Sequence, residues 1–161
     1  MVIVYASKTG FTKRYAGMLA EKTQLEAYSV SELSKVSKNE EVIFLGWMKV
    51  GKVQGLKKMS KHNVKAVCGS GTGRTAEPDE STVISRNNLQ NMPFFYMRGG
   101  CKPLNTLTGM DRFMMKLFVN MLKKQENKDE RQIEAISIIE NGYDGVKEEN
   151  LQPVLDWLST V

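Results

Sequence analysis

The feature that most constrains this chain is its punctuation: short apolar runs alternate with segments that read as helical crossovers. Val2–Ala6 is continuously apolar, the pattern of a strand buried on both faces. A helical pattern follows from Thr12 to about Thr23, with Tyr15, Ala16 and Leu19 on one side. Leu25–Val30, Glu41–Gly46, Val64–Gly69 and Phe94–Met97 read as four further strands. Helices are expected over about Val53–Lys61, Pro78–Gln90, Gly109–Lys124, Asp129–Glu140 and Gln152–Ser159, with Thr108 capping the Gly109 helix. Strands separated by crossovers form a mostly parallel sheet covered by helices on both faces. The expectation is therefore an α/β three-layer sandwich, a five-stranded parallel sheet in the order 2-1-3-4-5, with residues 1–161 as one domain.

In such sheets ligands lie outside the carboxyl ends of the strands, at the switch point between strands one and three. Three loops leave that edge. The first is Ser7-Lys8-Thr9-Gly10-Phe11-Thr12. It joins a buried strand to a helix N-terminus, where free N–H groups and the helix dipole favour an anion. Ser7, Thr9 and Thr12 add hydroxyls, Lys8 a cation, and Gly10 the freedom to take a positive φ. Three hydroxyls around a glycine exceed what one helix cap needs, and they suit a phosphate monoester.

The second loop, Trp47-Met48-Lys49-Val50-Gly51, offers an aromatic ring for stacking. Gly46–Val53 nearly spells a P-loop, but Val53 stands where a hydroxyl must meet Mg²⁺. The third loop, Ser70-Gly71-Thr72-Gly73, offers backbone donors and acceptors. It is not a dinucleotide fingerprint, because Arg74 occupies its last glycine position.

The run Val2–Ala16, with Leu19 following, resembles the flavodoxin signature. That resemblance implies FMN as cofactor, its phosphate in Ser7 through Thr12. It further implies that the isoalloxazine ring lies between the Trp47–Gly51 and Ser70–Gly73 loops, and that the chain is an electron-transfer protein or oxidoreductase. Further on, Met110-Asp111-Arg112-Phe113-Met114-Met115-Lys116-Leu117, with Met121, resembles the flavodoxin-type, menaquinone-dependent protoporphyrinogen oxidases. The alternative function is accordingly an oxidase passing electrons to a quinone. A non-redox binding module on the same fold is the alternative from another class. A phospho-receiver domain is disfavoured, because strand one ends in Ala6-Ser7-Lys8 without acids for Mg²⁺. No side-chain catalyst and no metal site are expected, since redox chemistry would belong to the flavin.

The formal net charge of +5 is unevenly spread. No acid occurs between Val42 and Ala76, an interval that holds Lys49, Lys52, Lys57, Lys58, Lys61, Lys65 and Arg74. Lys8, Lys49, Lys52 and Arg74 fall on the expected flavin loops, so the surroundings should stabilise reduced FMN and raise its potential. The cations call for an acidic or membrane-associated redox partner, a protein or a quinone, and no nucleic acid is expected. The Gly109 helix is apolar nearly all round, which calls for a contact beyond one sheet face, whether a partner, a second copy or a lipid surface. No apolar run is long enough to cross a bilayer, and the start lacks the pattern of a signal peptide. The expected location is the cytoplasm, with peripheral attachment at the inner membrane face as a further expectation. Cys68 and Cys101 read as small thiols at strand ends, and His62 as a solvated loop residue.

Overall fold

The computed structural model describes residues 1–161. They fall into two compact units: Met1–Gly99 together with Val146–Val161, and Gly100–Gly145.

The first unit is built on a sheet. Its strands are β1 (Val2–Ala6), β2 (Ala27–Ser29), β3 (Glu41–Lys49), β4 (Lys52–Val53), β5 (Asn63–Gly71) and β6 (Phe94–Arg98). The parallel order β2-β1-β3-β5-β6 is the expected 2-1-3-4-5 arrangement, and β4 adds antiparallel to the end of β3. The pleat sorts β1 between two cores. Ile3 meets Tyr15, Ala16 and Leu19 of α1 (Phe11–Thr23) and Val154 of α5 (Gln152–Leu158) on one face. Val2, Val4 and Ala6 meet Val36, Met59 and Leu89 on the other. That second face is covered by α2 (Glu80–Arg86) and by the 3₁₀ turns Val30–Lys35 and Leu56–Met59. Phe44 and Ile43, adjacent in β3, point one to each core and are fully buried, each worth about 1.5–3 kcal/mol of apolar transfer.

The second unit contains α3 (Gly109–Lys124), α4 (Glu130–Asn141) and a two-stranded ribbon of β7 (Gly100–Cys101) and β8 (Tyr143–Asp144). Asp129 caps α4 in a reciprocal box with Gln132, and Lys123 of α3 pairs with Glu140 of α4. No helix of the protein is long and apolar enough to cross a membrane.

Several expected elements differ. The expected helix over Val53–Lys61 is absent. Lys52–Val53 pairs with β3 and only Leu56–Met59 turns, as a 3₁₀ segment. Gly55 explains this: its φ is +87°, and a Cβ there would come within 2.5 Å of the Ala6 Cβ. β2 is shorter than Leu25–Val30 because Ser29 already caps the 3₁₀ turn that follows. α2 is shorter than Pro78–Gln90: Asp79 accepts the Thr82 N–H at 2.8 Å and sets its start, leaving Pro78 outside. Thr108 occupies the N-cap position of α3 but makes no side-chain cap bond. His62 is half-buried rather than solvated, with Nδ1 shielded from solvent and without a partner. Lys65 is half-buried and pairs with Glu41 at 3.4 Å, a partner supplied by the neighbouring strand.

Candidate functional site

β1, β3 and β5 end side by side. Ala6 lies opposite Gly46, and Trp47 opposite Ser70. The three loops read from the sequence therefore leave one edge of one sheet.

The Ser7–Thr12 segment takes the form its residues suggest. Gly10 adopts φ +99°, which costs a glycine little, and a Cβ there would meet nothing within 4 Å. The Ser7 hydroxyl accepts the Gly10 N–H at 3.2 Å and tightens the turn. That bond serves the loop and not the helix. The N-terminus of α1 has no side-chain cap and no acid in its first turn. Its leading N–H groups therefore remain available at the positive end of the helix dipole. Thr12 is buried within that turn, while Thr9 and Lys8 are exposed and Ser7, Gly10 and Phe11 are half-buried. No bond within the protein engages the Thr9 or Thr12 hydroxyl.

α1 itself is firmly held. The buried Tyr15 hydroxyl donates to the Arg98 carbonyl and accepts from the Asn150 side chain, so α1, the end of β6 and the returning C-terminal segment share one polar contact. Its two bonds offset the desolvation of the buried Tyr15 hydroxyl and fix the helix one turn beyond Thr12.

The second segment is not an open loop. β3 continues through Trp47, Met48 and Lys49, and the chain reverses at Val50-Gly51 so that Lys49 pairs with Lys52. Both turn residues have positive φ, +50° and +71°, as a two-residue hairpin requires. Val50 is 79% exposed at the tip. Trp47 is half-buried, and the Lys8 ammonium stands 5.6 Å from its ring centroid, a cation–π contact joining the first segment to the second.

The third segment is also partly strand. Ser70 and Gly71 end β5, with Ser70 buried, and Thr72 and Gly73 begin the turn beyond. Gly71 accepts the Gly99 N–H at 2.6 Å, and a Cβ on Gly99 would strike the Ser70 hydroxyl at 2.4 Å. Tyr96 donates to the Gly73 carbonyl at 2.7 Å, and Arg98 Nε to that of Thr72 at 3.4 Å. Sequence reasoning missed Tyr96, Arg98, Arg86 and Asn87, all of which hold these segments in place. Their roles depend on partners more than 20 residues away, so no local signal marks them.

Cations outnumber acids on the three segments. Lys8, Lys49, Lys52 and Arg74 are all exposed around them. The Glu77 carboxylate lies against Gly73, and the Asp79 carboxyl beyond it in sequence is held down to about 2, first by the Ser81 hydroxyl and then by the Thr82 N–H and hydroxyl. Cys68 lies deep in the sheet, where burial pushes its thiol up, and Cys101 is half-buried with its thiol also raised by burial. A hollow of about 840 Å³ lies at the opposite edge, between Met1, Leu25, Glu41, Lys65 and Trp157. It has neither glycine turns nor a helix N-terminus, and it does not coincide with the switch point.

The parallel order with its switch point between β1 and β3, and an uncapped helix behind a glycine turn, define a doubly wound α/β protein whose α1 N-terminus opens at the switch point. Residues 2–129 match the family model described as the flavodoxin domain, and the chain belongs to that family. A comparison with curated proteins finds no match.

Proposed function

We propose that this chain binds FMN and works as a flavin redox protein. The observation that carries the proposal is the Ser7–Thr12 turn. It combines an uncapped helix N-terminus, an open Gly10, and unengaged Thr9 and Thr12 hydroxyls, the donor set that a terminal phosphate monoester requires. FMN carries such a phosphate. When bound it supplies reversible uptake of electrons and protons, which no side chain here can provide.

The chain's own part is to hold and surround it. Ser7, Lys8, Thr9, Gly10, Phe11 and Thr12 take the phosphate. Trp47, Met48, Lys49, Val50 and Gly51 form a wall on one side of the ring. Ser70, Gly71, Thr72 and Gly73 offer backbone groups to its polar edge. Tyr96 lies against this last segment and supplies the aromatic surface that the segment itself lacks. The exposed lysines favour the more anionic reduced cofactor.

The test is direct: purify the protein, record its visible spectrum, release and identify any cofactor, and titrate added FMN. A flavin spectrum or saturable FMN uptake is expected. A colourless protein that takes up no FMN overturns the proposal. A narrower reading, oxidation of a porphyrinogen with a quinone as acceptor, draws on the Met110–Leu117 segment. Quinone-dependent oxidation of protoporphyrinogen by the FMN-loaded protein tests it.

A further inference from the structure

β6 lies at the sheet edge beside β5, and its residues divide between the two faces. Phe95 and Met97 enter one core and Phe94 the other. The period of two puts Tyr96 and Arg98 on the side of Phe94. β5 leaves room there: a Cβ on Gly69 would meet the Phe94 ring at 2.9 Å, and one on Gly71 the Tyr96 hydroxyl at 2.9 Å. Tyr96 thus lies against Gly71 and reaches the Gly73 carbonyl at 2.7 Å. Arg98 Nε reaches the Thr72 carbonyl at 3.4 Å, and the Gly99 N–H takes that of Gly71 at 2.6 Å.

The carbonyls of Gly71, Thr72 and Gly73 are therefore all drawn toward β6. In a trans peptide the N–H points opposite to the carbonyl of the same plane. All three peptides are trans, so the N–H groups of Thr72, Gly73 and Arg74 turn away from β6, to the side of β5 on which β3 lies. No bond within the protein engages the Thr72 or Gly73 N–H, although both residues are half-buried. Gly73 is the most adaptable point of the segment, because a glycine is free in φ. Arg98 tethers the peptide plane before it and Tyr96 the plane after it. The Arg98 carbonyl also accepts the Tyr15 hydroxyl of α1, so β6 ties the helix behind the Ser7–Thr12 turn to the third segment.

We propose that Tyr96 and Arg98 are positioning residues for the flavin ring edge: they hold the peptides on either side of Gly73 so that N–H donors, rather than carbonyls, face the ring. The proposal rests on the FMN reading and adds to it two side chains that act through the backbone of another strand. Its chemical consequence has a direction. Donors fixed toward a ring edge favour an acceptor edge, and favour it more when reduction adds negative charge there. Tyr96 and Arg98 therefore bear on reduced FMN more than on oxidised FMN.

The experiment compares wild type with Tyr96→Phe, which removes only a hydroxyl, and with Arg98→Lys, which keeps the charge but removes the Nε donor. Each variant should bind oxidised FMN at least about threefold more weakly, and riboflavin by the same factor, because the phosphate turn is untouched. For reduced FMN the loss should be at least about threefold larger again, read anaerobically as a lowered potential. Unchanged binding in either variant removes that residue from the role. Equal losses for the two redox states mark a merely structural change and overturn the proposal. A flavin-free readout separates the tether from the FMN reading. In backbone amide NMR relaxation of the unliganded chain, order parameters of Thr72, Gly73 and Arg74 should fall in Tyr96→Phe while that of Gly10 holds. Unchanged order parameters overturn the tether even where flavin binds. A wild-type chain that takes up no flavin, with the expected fall in the variant, overturns the FMN reading and the ring-edge role while upholding the tether.

Discussion

Asn87 fastens Val53: its Oδ1 accepts the Val53 N–H at 2.9 Å, while its amide nitrogen donates to the Gly51 carbonyl at 2.9 Å and the Val83 carbonyl at 2.7 Å. One side chain at the end of α2 thereby holds the turn and the second strand of the hairpin beside the candidate ring site. Arg86 adds a bond from Nη1 to the Val50 carbonyl at 3.0 Å. Asn87→Ala leaves a partly buried donor and acceptor unpaired and should cost about 1–3 kcal/mol, read from urea unfolding at constant slope. If the hairpin lines the ring, the variant should weaken FMN and riboflavin equally. Selective loss of FMN alone would contradict that placement.

The phosphate assignment makes the opposite prediction. Thr9→Val with Thr12→Val removes two hydroxyls while nearly keeping side-chain volume. Each lost hydrogen bond to a charged group is worth about 1.5–3 kcal/mol, so FMN affinity should fall at least tenfold. Riboflavin, which lacks the phosphate, should bind almost as before. Equal losses for both ligands in fluorescence titrations refute the assignment.

Lys49 and Lys52 face each other across the hairpin. Replacing both with Glu should lower the two-electron potential of bound FMN by some tens of millivolts, about what reversing two screened surface charges produces. Redox titration of both proteins in the same buffer decides it. An unchanged potential removes these lysines from any part in tuning the flavin.

Asp79 gives α2 a pH dependence of definite sign. Its carboxyl is lowered to about 2, through the Ser81 hydroxyl and the Thr82 N–H and hydroxyl. The stabilisation is fully present above the unfolded carboxyl's value of about 4, and it is lost as pH falls through about 2. The Asp79→Asn variant should therefore differ from wild type in urea midpoint at pH 7 and converge with it in strong acid. A constant difference across that range would rule out the carboxylate as the source.

The two thiols should separate cleanly in labelling. Cys68 is wholly enclosed and its thiol is raised by burial, so alkylation in the native protein should mark Cys101 first. Cys68 should react only on unfolding. Mass spectrometry after a timed iodoacetamide pulse reads this, and early labelling of Cys68 contradicts the packing.

The parts of the fold legible in the sequence are those whose causes are local. Val2–Ala6 is apolar without interruption, so its strand could be delimited to the residue. Gly10 and the hydroxyls around it announce a tight turn from composition alone. The hairpin at Val50-Gly51 was illegible for the converse reason. Positive φ at a turn's first position ordinarily calls for Asn, Asp or Gly, and a β-branched valine stands there. What stabilises the turn comes from Arg86 and Asn87, 36 residues on. The same holds for Tyr96, whose bond to Gly73 exists only because β6 lies beside β5. The outward face of α3 could be suspected from its excess of apolar residues, but which of them stay exposed depended on where α4 packs.

The uncapped start of α1 has a consequence for the protein as a material. Most helices carry their own cap in sequence, so their first turn is secured when the chain folds. Under the phosphate assignment that office would fall to the anion that enters the turn, and the ligand would become the terminal piece of the secondary structure. Amide hydrogens of Phe11, Thr12 and Lys13 should then exchange at a rate set by phosphate concentration. Occupancy and local folding would be a single equilibrium, measurable without any flavin spectrum at all.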